Sequence, residues 1–103
     1  NAPVEAPKPT AGKTQLPSVA SPGMELDLRG MRVEDALDKL DAYLEQGYLS
    51  GLLFGRIIHG KGTGALRQAV RDVLEHSHLV RRWEQGGEKE GGDGVSVAFF
   101  ESH

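Results

Sequence analysis

The chain contains no cysteine, so disulfides and thiolate metal ligation are excluded. No apolar run approaches the length of a membrane span, and no secretory apolar region stands near the N-terminus. A soluble, cytoplasmic protein is the expectation. Aromatic residues are few, with one Trp, two Tyr and three Phe. Trp83 and Phe99 are read as core residues rather than base-stacking ones. Excess positive charge is also lacking, since the formal net charge is −3. The distribution is uneven, however. Residues 34–45 hold Glu34, Asp35, Asp38, Asp41 and Glu45 against Lys39, whereas residues 56–82 hold Arg56, Lys61, Arg67, Arg71, Arg81 and Arg82 against Asp72 and Glu75. A basic middle between acidic flanks can form a local positive patch despite the negative sum.

Residues 1–23 are rich in Pro, Ala, Ser and Thr and show no hydrophobic periodicity. Such a segment holds too little apolar surface to offset its ordering entropy, so it reads as a flexible linker. The leading Asn suggests a piece of a longer protein. Residues 24–103 then form one small two-layer domain.

Residues 24–29 alternate apolar and charged side chains, the period of a half-buried strand. Met24, Leu26 and Leu28 are expected toward the core, with Glu25, Asp27 and Arg29 opposite, and Gly30 ending the strand. Val33, Leu37, Leu40 and Leu44 recur at helical spacing, with Gly47 as a stop or break. Residues 53–59 form a second strand. Residues 65–77 form a second helix with Leu66, Ala69, Val70, Val73 and Leu74 as its stripe, Thr63 as a cap, and Arg67 and Arg71 sharing one face. Residues 79–83 and 95–100 read as a hairpin across a mobile loop, 86–94, made entirely of Gly, Glu, Asp and Lys. The predicted order is β-α-β-α-β-β: an α/β two-layer sandwich of a four-stranded mixed sheet with both helices on one face.

Between the second strand and second helix stands His59-Gly60-Lys61-Gly62-Thr63-Gly64. Alternating glycines let a backbone approach a bulky anion, and free N–H groups at the helix start face it. Lys61 adds a full charge. Gly55 to Lys61 fits the P-loop spacing, but Gly62 stands where a magnesium-binding hydroxyl is required, so no nucleotide site is expected. Zinc is not expected either, because His76 and His78 are spaced wrongly for a shared helical face. No metal-ligating set is assigned, and magnesium or manganese is left open.

If the first two strands are parallel, their C-terminal ends share one sheet edge, where ligands of open α/β sheets gather. Asp27, Arg29 and His59 then become the candidate catalytic residues. His59 suits proton transfer near neutral pH, and Asp27 suits orienting it, accepting a proton, holding a metal or pairing with Arg29. Arg29 suits a phosphate clamp. Gly60, Lys61, Gly62, Thr63, Gly64, Arg67 and Arg71 are the candidate nucleic-acid contacts.

Leu26-Asp27-Leu28-Arg29-Gly30, together with Ile57-Ile58-His59-Gly60-Lys61-Gly62-Thr63-Gly64 and the following Ala65-Leu66-Arg67, resembles the Smr (small MutS-related) domain family. The resemblance is to the branch at the C-terminus of a MutS-type ATPase paralogue acting outside mismatch repair. It implies a fold similar to the C-terminal domain of bacterial translation initiation factor three. It also implies nucleic-acid partners, endonuclease activity on branched DNA in suppression of homologous recombination, and linkage to parent-chain ATPase domains. Other members act as endoribonucleases at stalled or collided ribosomes, and a non-catalytic binding module is the alternative. Many nuclease-active members carry histidine where this chain has Arg29, which cannot exchange a proton at physiological pH.

Overall fold

The structure is a computed structural model and describes residues 19–103. The linker expectation for residues 1–18 lies outside the described residues. The elements are β1 (Glu25–Asp27), α1 (Val33–Leu49), β2 (Phe54–Ile58), α2 (Ala65–His76), β3 (Val80–Gln85) and β4 (Val95–Phe100). Two single 3₁₀ turns, Glu88–Glu90 and Gly92–Gly94, join the last two strands. The sheet order is β1-β2-β4-β3, with β1 parallel to β2 and the other two pairs antiparallel. This is the predicted β-α-β-α-β-β sandwich.

Alternation decides which side of the sheet is buried. Leu26, Leu28, Ile57, Ala98 and Phe100 point toward the helices and form one core with Ala36, Leu40, Tyr43 and Leu44 of α1 and Val70 and Leu74 of α2. Burying each large aliphatic side chain here stabilises the fold by about 1.5–3 kcal/mol. Glu25, Asp27, Phe54, Arg56, Ile58, Val97 and Phe99 occupy the alternate positions, on the face without helices. Phe99 is therefore not a core residue as expected. Trp83 does pack against the core, and its Nε1 donates to Glu75 Oε1 at 2.9 Å.

Several boundaries differ from the sequence expectation. Met24 stays exposed, because β1 begins one residue later and is short. Gly47 does not end α1. The helix runs on to Leu49, and Gly47 is there because an added Cβ would come within 2.6 Å of the Phe100 ring. β3 begins at Val80 and runs to Gln85, and its pairing with β4 shifts register between Val80 and Arg82.

The segment read as a mobile loop is also organised. Gly91 and Gly92 take positive φ and curl it into the 3₁₀ turns, and the carbonyl of Gly94 accepts from the N–H groups of His59 and Gly60 at 3.1 and 2.9 Å. The residues before β1 lie along α1, where the Ala20 carbonyl accepts from Gln46 Nε2 and the Gly23 carbonyl from the Tyr43 hydroxyl. Among the described residues no helix is long and apolar enough to cross a membrane.

Candidate functional site

The parallel pairing of β1 with β2 brings Asp27 level with Ile58 and places the two following segments side by side. Leu28 N–H extends the ladder to the Ile58 carbonyl at 2.7 Å. Asp27 Oδ1 accepts from the backbone N–H and the Nε of Arg29, each at 3.0 Å, and Oδ2 accepts from Nη2 at 2.8 Å. The pairing draws the Asp27 carboxyl down to about 2 and pushes the Arg29 guanidinium further up. Both side chains remain open to solvent, at 49% and 63% exposure. The pair is thus charged at every physiological pH.

The stem of Arg29 crosses Gly60, where an added Cβ would lie 3.4 Å from Arg29 Cγ. Gly60, Gly62 and Gly64 all have positive φ, at +78°, +39° and +91°. These conformations fold residues 60–64 into a compact turn that ends at the N-terminus of α2. Gly60 N–H is taken by Gly94 and Gly64 N–H by the Lys61 carbonyl. Neither glycine therefore offers the free donor expected of it. The N–H groups of Lys61, Gly62 and Thr63 make no backbone hydrogen bond among the described residues. Thr63 Oγ1 accepts from Ala65 N–H at 3.3 Å, but the N-cap of α2 is Gly64, so Thr63 stands one residue before the expected capping position. Lys61 is exposed and joins no ion pair among the described residues.

His59 sits differently from the expectation. Its ring is on the helix side of the sheet, only 5% exposed, while the Asp27 carboxylate is on the opposite face. Nδ1 lies 2.9 Å from the Gly60 carbonyl and Nε2 lies 2.9 Å from Ser96 Oγ. A carbonyl accepts only, so Nδ1 carries the hydrogen and Nε2 accepts from the serine. Burial lowers the His59 pKa below 6.5, and the nearby Arg71 and Arg67 charges lower it further. The imidazole is neutral, doubly bonded and out of contact with Asp27. Asp27 orients Arg29, not His59.

Arg67 and Arg71 are likewise engaged. Arg71 Nε donates to Ser96 Oγ at 2.9 Å, its Nη2 lies 3.3 Å from Asp93 Oδ1, and its guanidinium stands 5.0 Å from the Trp83 ring centroid. With 17% side-chain exposure it braces the site from behind. Arg67 pairs with Asp93 Oδ2 and stays close to Gly64, beside the turn. Ser96, Asp93 and Gly94 were absent from the sequence-based set. The signal for Ser96 was a hydroxyl at a core-facing position of an otherwise apolar strand.

The edge therefore presents an exposed Asp27–Arg29 pair at the end of β1 and, on the adjoining turn, Lys61 and three N–H groups without a backbone partner among the described residues. It can hold a tetrahedral anion and offer a fixed guanidinium fork to its oxygens. Among the described residues no three His, Cys, Asp or Glu side chains converge as a metal cage.

Comparisons with known proteins agree with this architecture. The Smr domain profile matches residues 26–101. "Endonuclease MutS2" of Thermomicrobium roseum is 46% identical over 93 residues, which is 90% of this chain and 11% of that protein. "Endonuclease MutS2" of Symbiobacterium thermophilum is 55% identical over 74 residues, 72% of this chain and 9% of that protein. The chain thus spans about a tenth of the length of these relatives. Among solved structures, the Smr domain of Thermus thermophilus MutS2 superposes with a TM-score of 0.74 at 43% identity, covering 77% of this chain and 99% of that one. YdaL, a stand-alone small MutS-related protein from Escherichia coli, shares the fold with a TM-score of 0.73 at 24% identity, over 86% of this chain and 73% of that one. This chain belongs to the Smr domain family.

Proposed function

We propose that this domain is the nicking endonuclease module of a longer MutS-type protein, acting on branched or structured DNA in suppression of homologous recombination. The observation that carries this reading is the Asp27–Arg29 pair held across Gly60, beside Lys61 and the free N–H groups of the turn. A phosphodiester seats on those N–H groups, with Lys61 as a second charge. With Nε and one Nη2 hydrogen given to Asp27, Arg29 then donates its outer pair, from Nη1 and Nη2, to the oxygens that gain negative charge as phosphorus becomes five-coordinate.

Asp27 fixes the guanidinium plane and accepts a hydrogen bond from the attacking water. The water oxygen bonds to phosphorus, the ester P–O bond breaks, the departing oxygen takes up a proton, and the water proton passes to solvent. Asp27 is also the exposed carboxylate that a divalent ion could share with the phosphate. His59 acts as a positioning residue, holding the Gly60 carbonyl and so the turn, rather than as the solvent-facing acid/base expected from its place in the chain. The names of the relatives, "Endonuclease MutS2", support the reaction class.

The engaged, buried His59 ring favours a second reading, a module that holds nucleic acid without cutting it. Cleavage separates the two. The 103-residue chain is incubated with end-labelled branched DNA and with single-stranded RNA, with EDTA or manganese, beside Asp27→Ala and Arg29→Ala. Cleavage that both substitutions remove supports the nuclease and identifies its substrate. Intact substrate in every lane with binding retained would establish the second reading instead.

A further inference from the structure

On the face of the sheet without helices lies a cavity of about 340 Å³, lined in part by Phe54, Arg56, Val97, Phe99, Gln85 and Glu90. This is at the lower end of the size of small-molecule sites, about 300–1,000 Å³. Its aromatic wall is the cross-strand pair Phe54 and Phe99, with ring centroids 6.2 Å apart. Arg82 stands over the Phe99 ring at 4.0 Å and is not among the residues lining the cavity.

Polar groups stand around these rings. Arg56 Nη1 pairs with Glu25 at 3.1 Å and Nη2 donates to the Glu90 carbonyl at 3.3 Å, so the guanidinium is fixed between β1 and the 3₁₀ turn. Its Nε is buried and has no hydrogen-bond partner among the described residues. Glu84, opposite Val97 on this face, and Glu90, whose Oε1 accepts from Gly87 N–H at 3.2 Å, offer carboxylates, while Gln85, opposite Ser96, borders the cavity with its backbone. Apolar rings with fixed donors and acceptors beside them match a nucleobase, which has two π faces and a hydrogen-bonding edge.

Position links this cavity to the phosphate edge. Asp27 and Arg56 are on the same face of the sheet, and Arg56 precedes Gly60 by four residues, about 13 Å along the strand. A strand whose phosphate rests beside Arg29 and Lys61 can lay a neighbouring nucleotide across this face. We infer that the cavity between Phe54, Phe99 and Arg56 receives one unpaired base of the substrate strand. The preferred substrate is therefore single-stranded or unpaired next to the seated phosphate. This inference rests on the nucleic-acid reading above.

The test is fluorescence anisotropy at low salt with a labelled single-stranded DNA oligonucleotide and with its duplex. The proteins are the wild-type chain, Phe99→Leu, Phe99→Tyr and Lys61→Ala, each checked for folding by circular dichroism. Phe99→Leu keeps apolar bulk and removes the π face. It is expected to weaken single-strand binding by about 5- to 150-fold, the equivalent of about 1–3 kcal/mol for one stacked base. Duplex binding should stay within about two-fold, and Phe99→Tyr should retain single-strand affinity.

Single-strand binding unchanged in Phe99→Leu, or duplex binding lost to the same degree, would overturn the inference. If Lys61→Ala weakens both probes while Phe99→Leu weakens neither, the cavity fails alone and the phosphate edge stands. Wild-type binding to neither probe would sink both. Should Phe99→Leu fail to fold, a 2-aminopurine strand on the wild-type chain decides. Quenching on binding supports a stacked base, and unchanged emission overturns it.

Discussion

Nε2 of His59 lies 2.9 Å from Oγ of Ser96, and Nε of Arg71 lies 2.9 Å from the same oxygen. The serine gives its hydrogen to the imidazole and takes one from the guanidinium. The result is a chain of aligned bonds from α2 through β4 to the Gly60 carbonyl, where Nδ1 of the imidazole ends it.

Removing that oxygen leaves two buried groups without their partner. Ser96→Ala should therefore destabilise the fold by about 1–3 kcal/mol, although it adds no strain. Thermal or urea unfolding of the two proteins measures the difference. Equal stability would mean that water or a rearranged Arg71 replaces the hydroxyl.

The neutral state of His59 predicts a pH dependence with a definite sign. Its folded-state pKa lies below the unfolded value of 6.5, so the unfolded chain takes up the proton first. Stability from this source is full above pH 6.5 and falls as pH drops through that value, by at most about 1.4 kcal/mol per pH unit. His59→Gln should remove this slope. Asp27 acts in a separate, lower window: its folded carboxyl is at about 2 against 3.8, so its contribution is present above 3.8 and lost toward 2. Urea unfolding from pH 7 to pH 2 covers the two windows.

Gly47→Ala sets two effects against each other. Alanine in a helix interior is favoured over glycine by about 1 kcal/mol. The new methyl would stand 2.6 Å from the tip of the Phe100 ring, which is itself buried in the core. Overpacking of this kind costs about 1–3 kcal/mol, so the variant should unfold at a lower temperature. A raised Tm would show that α1 and β4 can separate freely.

Salt dependence should rank the cations. Each phosphate contact adds roughly one unit to the slope of log affinity against log salt. Lys61 is free of ion pairs among the described residues, whereas Arg67 is paired with Asp93 and Arg71 with both Asp93 and Ser96. Lys61→Ala should reduce the slope by about one unit, and Arg71→Ala by less. Titrations at several salt concentrations give both slopes, and the reverse ranking would mean that Arg71 leaves Asp93 on binding.

The periodicity of apolar residues was sufficient for the element order and the two-layer arrangement, because Leu26, Ile57 and Ala98 bury at strand spacing and Leu40, Leu44, Val70 and Leu74 at helical spacing, but it carried no sign of the strand order or of the pairing of β2 with β4. The motif residues Asp27, Arg29 and Gly60 do meet at one edge, since parallel pairing of β1 and β2 leaves no other arrangement. What stayed hidden was orientation across the sheet. His59 and Asp27 each end a strand in the sequence, yet alternation sends their side chains to opposite faces. Gly47 looked like a helix stop because its reason for being glycine, the Phe100 ring, is far away in sequence. The partners Ser96, Asp93 and Gly94 come from the other end of the domain, and local spacing carries no record of such contacts. Phe99 looked like core because half-burial on a sheet face without helices has the same apolar signature.

The central claim is that Arg29, fixed by Asp27 above Gly60, stabilises charge on a phosphodiester during cleavage. Its most direct test is the single-turnover cleavage rate of end-labelled branched DNA by the wild-type chain and Arg29→Lys at saturating protein. Lysine keeps the charge and loses the two-pronged geometry. The rate should fall by roughly 100-fold or more while affinity changes a few-fold. An Arg29→Lys chain that cuts as fast as wild type would contradict the account.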